Sequence, residues 1–183
     1  MAVLKVARLG DPVLRQIAKP VDPEGIWDNK DIQILIDDMI ETMHMEKGVG
    51  LAAPQVFRPV QVVVLECLGS ERYPNRNDFP LMALINPVFV QYSEETVSGW
   101  EGCLSLPGLR GLVPRAKEVT LEAYNRTGER VAIEADGFLA IALQHEIDHL
   151  NGVVYIDRMT DLSKLSYEEE FETYWMEDDV IEA

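Results

Sequence analysis

The chain has 183 residues, 47% of them hydrophobic, and a formal net charge of −16, which suits one globular domain whose core needs no disulfide staples. An acidic surface repels phosphate backbones and so disfavours nucleic-acid binding, while two cysteines do not make a disulfide framework. With no secretory leader and no apolar run long enough to span a bilayer, we expect a soluble cytoplasmic protein without membrane contacts.

The first long predicted element is an amphipathic helix over residues 31–46. Its apolar residues recur at the i, i+3, i+4, i+7 spacing that places them on one helix face. Asp28 or Asn29 can cap its N-terminus, and Gly48 ends it. His44 lies off the apolar face, so we expect it at the surface.

The next stretch, Gly48-Val49-Gly50-Leu51-Ala52-Ala53-Pro54-Gln55, combines two glycines with small side chains. Because glycine has no Cβ, such a backbone can approach a ligand closely. The same composition also suits an ordinary turn from helix to strand. The stretch lacks the Gly-Lys-Ser/Thr ending of a phosphate-binding loop, so it does not predict a nucleotide site.

The middle of the chain carries the composition of β-strands, with continuous or alternating apolar residues between turn signals. The predicted strands are 60–67, 81–90 with a bend at Asn86-Pro87, 94–98, 118–124, 130–134 and 153–156. A turn at Asn125-Arg126-Thr127-Gly128 makes a hairpin of 118–124 and 130–134. A weak helical pattern follows at 163–175.

A second short motif, Glu101-Gly102-Cys103-Leu104-Ser105-Leu106-Pro107-Gly108, places a cysteine beside a glycine in a predicted loop. A lone cysteine is more often structural than functional. Where a two-histidine site lies elsewhere in the chain, however, such a cysteine becomes a candidate metal ligand.

The most informative motif is Gln144-His145-Glu146-Ile147-Asp148-His149, inside an apolar run from Phe138 to Leu150. Histidines four apart lie on one helix face, so both imidazoles can reach one metal ion, and the intervening glutamate can reach a water on that metal. Asp136 can cap this helix and Gly152 can stop it. Because the helix is apolar over most of its circumference, we predict a buried, central helix rather than an exposed one.

The sequence leaves the third metal ligand open, although hydrolytic sites use three protein ligands. One class of metalloproteases takes a further histidine at the position held here by Tyr155, a poor ligand. A second class takes a downstream glutamate, and the glutamates of 168–172 are candidates within a run that resembles a solvated face. Cys103 is the remaining candidate. A closed structural zinc site that adds Cys67 is the non-enzymatic alternative.

Taken together, the three motifs resemble the signature motifs of the peptide deformylases. Residues 48–55, 101–105 and 144–149 occur in the order and spacing of that family, and the resemblance runs from about residue 5 to residue 160. It implies an enzyme that removes the formyl group from the N-formylmethionine of nascent chains and releases formate. It also implies an α+β fold, with antiparallel or mixed β-sheets packed around the H-E-x-x-H helix.

The resemblance further assigns roles at the site. The implied ligands of one divalent metal are Cys103, His145 and His149. The implied native metal is ferrous iron, which zinc, nickel or cobalt can replace. Glu146 would take a proton from the attacking water and return it to the leaving amine, while the Gln55 side-chain amide and the Leu104 backbone N–H would donate hydrogen bonds to the formyl oxygen.

Substrate contacts follow from the same resemblance. Gly50 would present its backbone to the peptide, and Arg110 maps near the downstream part of that peptide. The residues that map onto the pocket for the methionine side chain are Val49, Phe138, Ile141 and Ala142. Plain core packing is the alternative role for Phe138 and Ile141.

Two predictions concern the rest of the molecule. A carboxylate on a buried helix needs a partner, so we predict an ion pair between Asp148 and Arg115. We expect one catalytic domain over 1–175 and an acidic tail over 176–183. This acidic C-terminal region does not favour docking on the ribosome through its RNA.

Overall fold

Two antiparallel β-sheets and three α-helices position the three motifs, in a computed structural model that describes residues 2–69 and 77–176. The α-helices in these residues are α1 (Lys30–Met45), α2 (Gly137–Leu150) and α3 (Glu168–Tyr174). The strands are β1 (Gly50–Ala52), β2 (Val62–Cys67), β3 (Phe79–Tyr92), β4 (Thr96–Cys103), β5 (Leu106–Ala116), β6 (Glu118–Tyr124), β7 (Arg130–Asp136) and β8 (Leu165–Tyr167). The first sheet has the order β1-β2-β3-β6-β7, and the second has the order β4-β5-β8.

Helix α1 forms where its amphipathic pattern predicts. The Asn29 side chain caps it by accepting a hydrogen bond from the Ile32 N–H. Its buried face, which includes Ile36 and Met39, packs against the β2 side of the first sheet. Burying side chains of this size stabilises the fold by about 1.5–3 kcal/mol each. The helix ends at Met45, before Gly48.

Helix α2 is the buried, central helix that the sequence predicts. Leu143, Ile147 and Leu150 pack into the apolar core formed with the first sheet. The polar side chains of Gln144, His145 and Asp148 contact residues of the second sheet. Gly152 stops the helix in a left-handed conformation, and a Cβ there would lie 2.7 Å from the Arg15 carbonyl oxygen. The predicted side-chain cap is wrong, since Asp136 occupies the N-cap position without accepting a cap hydrogen bond.

The predicted strands 60–67, 81–90, 118–124 and 130–134 are present, and β3 bends where expected. Asn86 adopts a positive φ of 52°, and the register with β6 shifts between Ile85 and Val88. The Asn86 side chain holds this bend in place by hydrogen bonds to both backbone groups of Val21, at 2.8 and 2.7 Å. The bend therefore has a tertiary anchor as well as a local cause.

Three expectations differ from the structure. Residues 94–98 do not extend the first sheet, because β4 pairs with β5 in the second. The predicted strand at 153–156 is wrong: Tyr155–Arg158 form a 3-10 turn. The cysteine motif is not a loop, since Cys103 is the last residue of β4 and pairs with Leu106 at the start of β5.

The end of the chain packs on the second sheet. Strand β8 pairs with β5, and α3 follows directly, so the weak helical pattern at 163–175 covers both a strand and a helix. Of the predicted tail 176–183, all residues after Met176 lie outside the described part. In the residues that the structure describes, no helix has the length and apolarity needed to cross a membrane.

Candidate metal centre

Three potential ligand atoms meet between the two sheets. Strand β4 ends at Cys103, and α2 presents His145 and His149 one turn apart. One ligand atom from each residue lies within 4.8 Å of the others, and all three side chains are buried. Within residues 2–69 and 77–176 this group includes neither Cys67 nor the glutamates of 168–172, which were the alternative ligands.

The chemistry of these donors fits a divalent transition metal. One thiolate and two imidazoles suit such ions, and three protein ligands leave a position for water. His145 Nδ1 lies 2.7 Å from Glu101 Oε2, so it donates its proton there and leaves Nε2 as the ligand atom. Burial lowers the pKa of His149 well below its usual value, which keeps that imidazole neutral and able to bind a metal.

A buried ionic network supports the histidines from the second sheet. Arg115 on β5 donates to both carboxylate oxygens of Glu101, at 2.7 and 3.0 Å, and to Asp148 at 2.6 Å. The predicted Asp148–Arg115 ion pair is therefore confirmed. Burial would favour neutral Glu101, but the charge of Arg115 and the hydrogen bonds of Arg115 and His145 lower its pKa to about 2. Glu101 is thus an ionised acceptor for His145.

Glu146 lies against the backbone of β1. A Cβ added to Gly50 would lie 2.3 Å from Glu146 Oε1, so only glycine leaves room for this carboxylate. The other oxygen, Glu146 Oε2, is buried and has no hydrogen-bond partner in the described part of the chain. Burial raises the pKa of this carboxyl to about 7, and a nearby divalent cation would act in the opposite direction.

The Gln55 amide is held at both ends. Its Oε1 accepts a hydrogen bond from the Ala52 N–H at 2.7 Å, so Nε2 faces the site. There Nε2 lies 3.4 Å from Cys103 Sγ and 3.1 Å from Ser105 Oγ. The Ser105 N–H also donates to Cys103 Sγ, at 3.4 Å. The first and second motifs are thereby joined around the sulfur.

The N-terminal segment holds the same two motifs together. The Ala7 N–H donates to the Gln55 carbonyl oxygen at 2.7 Å, and the Leu9 N–H donates to the Ser105 carbonyl oxygen at 2.9 Å. These bonds connect the backbones on either side of the metal centre through a short extended segment. The N-terminal segment therefore contacts residues of the site.

One cavity brings most of the predicted site residues together. The predicted site residues that line this cavity are Val49, Gly50, Gln55, Cys103, Leu104, Phe138, Ile141, Ala142, His145 and Glu146. His149 is not among the lining residues, but it belongs to the group of three potential metal ligands. Arg110 is not in the lining; its guanidinium is buried and lies 2.8 Å from Glu168 on α3.

Sequence reasoning missed three residues of the site. Glu101 and Ser105 stand inside the cysteine motif, and Trp100 precedes it and lines the cavity. A signal existed for Glu101, because a metal-ligating histidine almost always donates its second ring N–H to an acceptor. For Ser105 and Trp100 the decisive contacts come from distant segments, which the local pattern does not show.

Comparison with known proteins decides the relationship. Residues 3–165 match the family described as polypeptide deformylase. The chain belongs to this family. The resemblance inferred from the three motifs is confirmed.

Related sequences and solved structures of peptide deformylases match most of the chain. Peptide deformylase 1 of Bordetella pertussis is 45% identical over 164 residues, which are 90% of this chain and 92% of that protein. Peptide deformylase 2 of Pseudomonas putida is 46% identical with the same coverage. A Met-Ala-Ser-bound class I type b peptide deformylase from Acinetobacter baumannii has a TM-score of 0.83 at 37% identity, covering 86% of this chain and 99% of that one. The peptide deformylase of Thermotoga maritima has a TM-score of 0.77 at 37% identity, covering 88% and 100%.

Membership of the deformylase family establishes the reaction. The protein is a metal-dependent hydrolase that removes the N-formyl group from newly made polypeptides. The expected α+β fold, with antiparallel sheets around the H-E-x-x-H helix, is confirmed by the structure and its deformylase neighbours. The family implies a divalent metal, for which the cysteine and two histidines form a possible site.

Proposed function

We propose that Cys103, His145 and His149 hold the metal, with Glu146 as the proton-transfer group of the deformylation. The observation that carries this proposal is the meeting of three buried ligand atoms beside a buried, unpartnered Glu146 oxygen in one cavity. We further assign ferrous iron as the native ion, replaceable by zinc, nickel or cobalt, on the family resemblance and the donor set. A thiolate ligand beside iron makes this centre sensitive to oxidation.

When bound, a divalent ion lowers the pKa of water and polarises the formyl carbonyl group. Proton transfer is then carried out by a side chain of the protein. Glu146 Oε2 accepts the proton of the attacking water, and the same carboxyl returns it to the nitrogen of methionine as the C–N bond breaks. The products are formate and a free amino terminus. Gly50 keeps the carboxylate in position by leaving it space.

Negative charge that develops on the formyl oxygen needs hydrogen-bond donors. The Gln55 amide is oriented for this role, since Ala52 binds its oxygen and leaves Nε2 directed at the site. Leu104 directly follows the cysteine in the cavity lining, and its backbone N–H is the second donor that we assign. One such donor is typically worth on the order of 3 kcal/mol of transition-state stabilisation.

The peptide is assigned to the open edge of β1. This strand ends the first sheet, and Gly50 lies in the cavity lining, so an extended peptide can add to it through backbone hydrogen bonds. The methionine side chain is assigned to the apolar part of the lining, formed by Val49, Phe138, Ile141 and Ala142. The Acinetobacter relative bound to Met-Ala-Ser supports a peptide that begins with methionine.

The substrates are N-formylmethionyl peptides and nascent chains, and we place the protein in the cytoplasm. Two cysteines in 183 residues do not make a disulfide framework, which supports a reducing compartment. The charge of −16 supports an interaction with the nascent peptide rather than with ribosomal RNA or a membrane.

Formate release from a formyl-Met-Ala-Ser peptide tests these roles, with the enzyme loaded with nickel or, under anaerobic conditions, with ferrous iron. We expect release by the parent and its loss in Cys103→Ala, together with loss of bound metal. Glu146→Gln should keep the metal and lose activity by a factor of at least about 100. Retained metal in Cys103→Ala, or parental activity in Glu146→Gln, would contradict the assignment of that residue.

A further inference from the structure

Tyr155 is a buried aromatic residue beside the metal centre that the proposed reaction does not use. It occupies the position after α2 at which one class of metalloproteases takes a third histidine ligand. The residue is 1% exposed and belongs to the same apolar cluster as Cys103. Its ring forms an offset stack with the imidazole of His145, since the centroids lie 6.1 Å apart and the ring planes differ by 22°. Tyr155 therefore packs beside two of the three proposed ligands.

The turn that follows α2 fixes the backbone of Tyr155. Gly152 adopts a positive φ of 71° and ends the helix. The Val154 N–H then donates to Asp157 Oδ2 at 2.9 Å, and Arg15 binds the same carboxylate. Tyr155 is the first residue of the 3-10 turn that these contacts stabilise. The ring is thus attached to a backbone that is held both before and after it.

The backbone of β5 lies directly against the Tyr155 ring. A Cβ added to Gly111 would lie 2.8 Å from Tyr155 Cε2 and 2.7 Å from Met159 Sδ. The Met159 side chain is flexible and can move, whereas a buried aromatic ring moves only as a whole. Glycine at this position therefore lets the second sheet pack against the ring, which restricts where the ring can lie.

The imidazole of His145 needs a contact on its face to keep its orientation. Rotamer preference restricts the rotation of a histidine ring about its bond to Cβ only weakly. The hydrogen bond from Nδ1 to Glu101, at 2.7 Å, fixes one ring atom but leaves the ring able to tilt around it. The lone pair of Nε2 lies in the ring plane, so a tilt turns it away from an ion. His149 meets this ring at 72°, whereas Tyr155 lies nearly parallel to it.

We propose that Tyr155 is a positioning residue for the metal centre, whose aromatic ring holds the plane of the His145 imidazole. The proposal rests on the assignment of Cys103, His145 and His149 as the metal ligands. Glu101 and Tyr155 divide the task between them: the carboxylate sets the position of Nδ1, and the ring sets the tilt of the imidazole. The face of the ring is what matters in this role, so phenylalanine should replace tyrosine while an aliphatic side chain should not.

The test measures cobalt binding by the full-length protein, using titration against a competing chelator and the visible absorption spectrum of the cobalt form, which reports ligand geometry. We expect Tyr155→Leu to weaken cobalt binding by about tenfold and to change the spectrum, because residues that orient a metal ligand typically contribute 10–100-fold to affinity. Tyr155→Phe should keep both the parental affinity and the parental spectrum.

Phe79→Leu is the matched control for the loss of a buried aromatic ring. Phe79 is 5% exposed, and its ring also lies 6.1 Å from a second ring, that of Phe138, which is not a proposed ligand. This variant should lower the Tm without changing the affinity for cobalt or the spectrum. The comparison therefore separates the orientation of His145 from a general loss of packing.

Gly111→Ala keeps the proposal testable if Tyr155→Leu does not fold, which circular dichroism will show. Its Cβ presses on the Tyr155 ring without removing it, so the cobalt spectrum should change here too. An unchanged affinity and spectrum in Tyr155→Leu, a defect of equal size in Tyr155→Phe, or the same weakening in Phe79→Leu would overturn the proposal. Parental cobalt affinity in Cys103→Ala would instead overturn the assignment of the ligands.

Discussion

The missing side chain of Gly50 allows the Glu146 carboxylate to lie against β1. A Cβ would approach this carboxylate to 2.3 Å. We therefore expect Gly50→Ala to displace the carboxylate and lower kcat by on the order of 100-fold, because displacements of about 1 Å have this effect. The metal ligands are not involved, so metal content should stay at the parental level.

Gly48→Ala is the control for this change. Its Cβ would lie 2.9 Å from Leu104 Cδ1, the end of a flexible side chain that can move. We expect a smaller loss of kcat than for Gly50→Ala. Parental kcat in Gly50→Ala, or an equal loss in both variants, would show that crowding of Glu146 is not the cause.

Ser105 is predicted to act through Gln55. Its hydroxyl oxygen accepts one N–H of the amide at 3.1 Å, and the side chain is fully buried. We expect Ser105→Ala to lower kcat/KM by about tenfold, a part of the effect of losing the donor itself. In the Gln55→Ala background the same substitution should have almost no effect. Steady-state kinetics of the four proteins measures this coupling, and additive losses would assign Ser105 a separate, structural role.

The sequence predicts individual residues well where chemistry fixes their spacing. Two histidines four apart on a helix lie on one face, so the motif alone predicts that His145 and His149 can share a metal ion. From the sequence alone, Cys103 is one of several candidate ligands, because it lies 46 positions before His149. Only the fold brings its sulfur close to the histidine nitrogens. Ser105 is not predictable in this way, because its role depends on a contact with Gln55.

At the scale of secondary structure elements, the side of α2 that faces the second sheet is polar. Arg115 balances the negative charges of Asp148 on this helix and Glu101 on β4. Arg115 is 4% exposed in its side chain and binds two buried carboxylates. Arg115→Leu removes the buried cation shared by Glu101 and Asp148, so we expect a loss of about 3–5 kcal/mol in the free energy of unfolding, although Arg158 still binds Asp148. The weaker hold on Glu101 should also reduce metal affinity by about 10–100-fold, since Glu101 orients His145.

Arg158→Leu provides a matched comparison for Arg115→Leu. Arg158 also binds Asp148, at 2.6 Å, but half of its side chain is exposed. We expect a loss of less than about 1 kcal/mol, because solvent screens such a pair. Denaturant unfolding and metal titration measure both variants. Equal stability of Arg115→Leu and the parent would contradict the structural role of the buried network.

Secondary structure was predictable where the apolar residues within one segment themselves indicate a helix. The amphipathic pattern gave α1 to within one residue at each end, and the apolar run gave α2. The second sheet was not predictable, because glycines and prolines in 99–114 resemble a loop. Its strands are stabilised by partners far along the chain, such as β8. Pairing of this kind depends on the whole fold and leaves little local pattern.

At the scale of the whole molecule, the proposed ligands come from two elements: Cys103 from β4, and His145 and His149 from α2. A bound ion would therefore link the second sheet to this helix. An ion present at about 1,000 times its dissociation constant stabilises the folded state by about 4 kcal/mol. In a protein of this size, that corresponds to a Tm roughly 10 °C higher. We expect chelation to lower the Tm of the parent by this amount, as measured by calorimetry.

Cys103→Ala provides the control for chelation. Without the thiolate it should unfold at a temperature close to that of the chelated parent, and chelator should change its Tm little. A parent whose Tm does not respond to complete metal removal would show that the ion does not link the second sheet to α2.

The length of β1 has a consequence for the reach of the enzyme along its substrate. Strand β1 has three residues, Gly50–Ala52, and the extended chain rises about 3.3 Å per residue. The open edge therefore spans roughly 10 Å, the length of a tripeptide. In the proposed binding mode, everything beyond the third residue of a new protein lies outside this span, whatever its sequence or final fold. One small enzyme can in this way process chains that share nothing except their first residue.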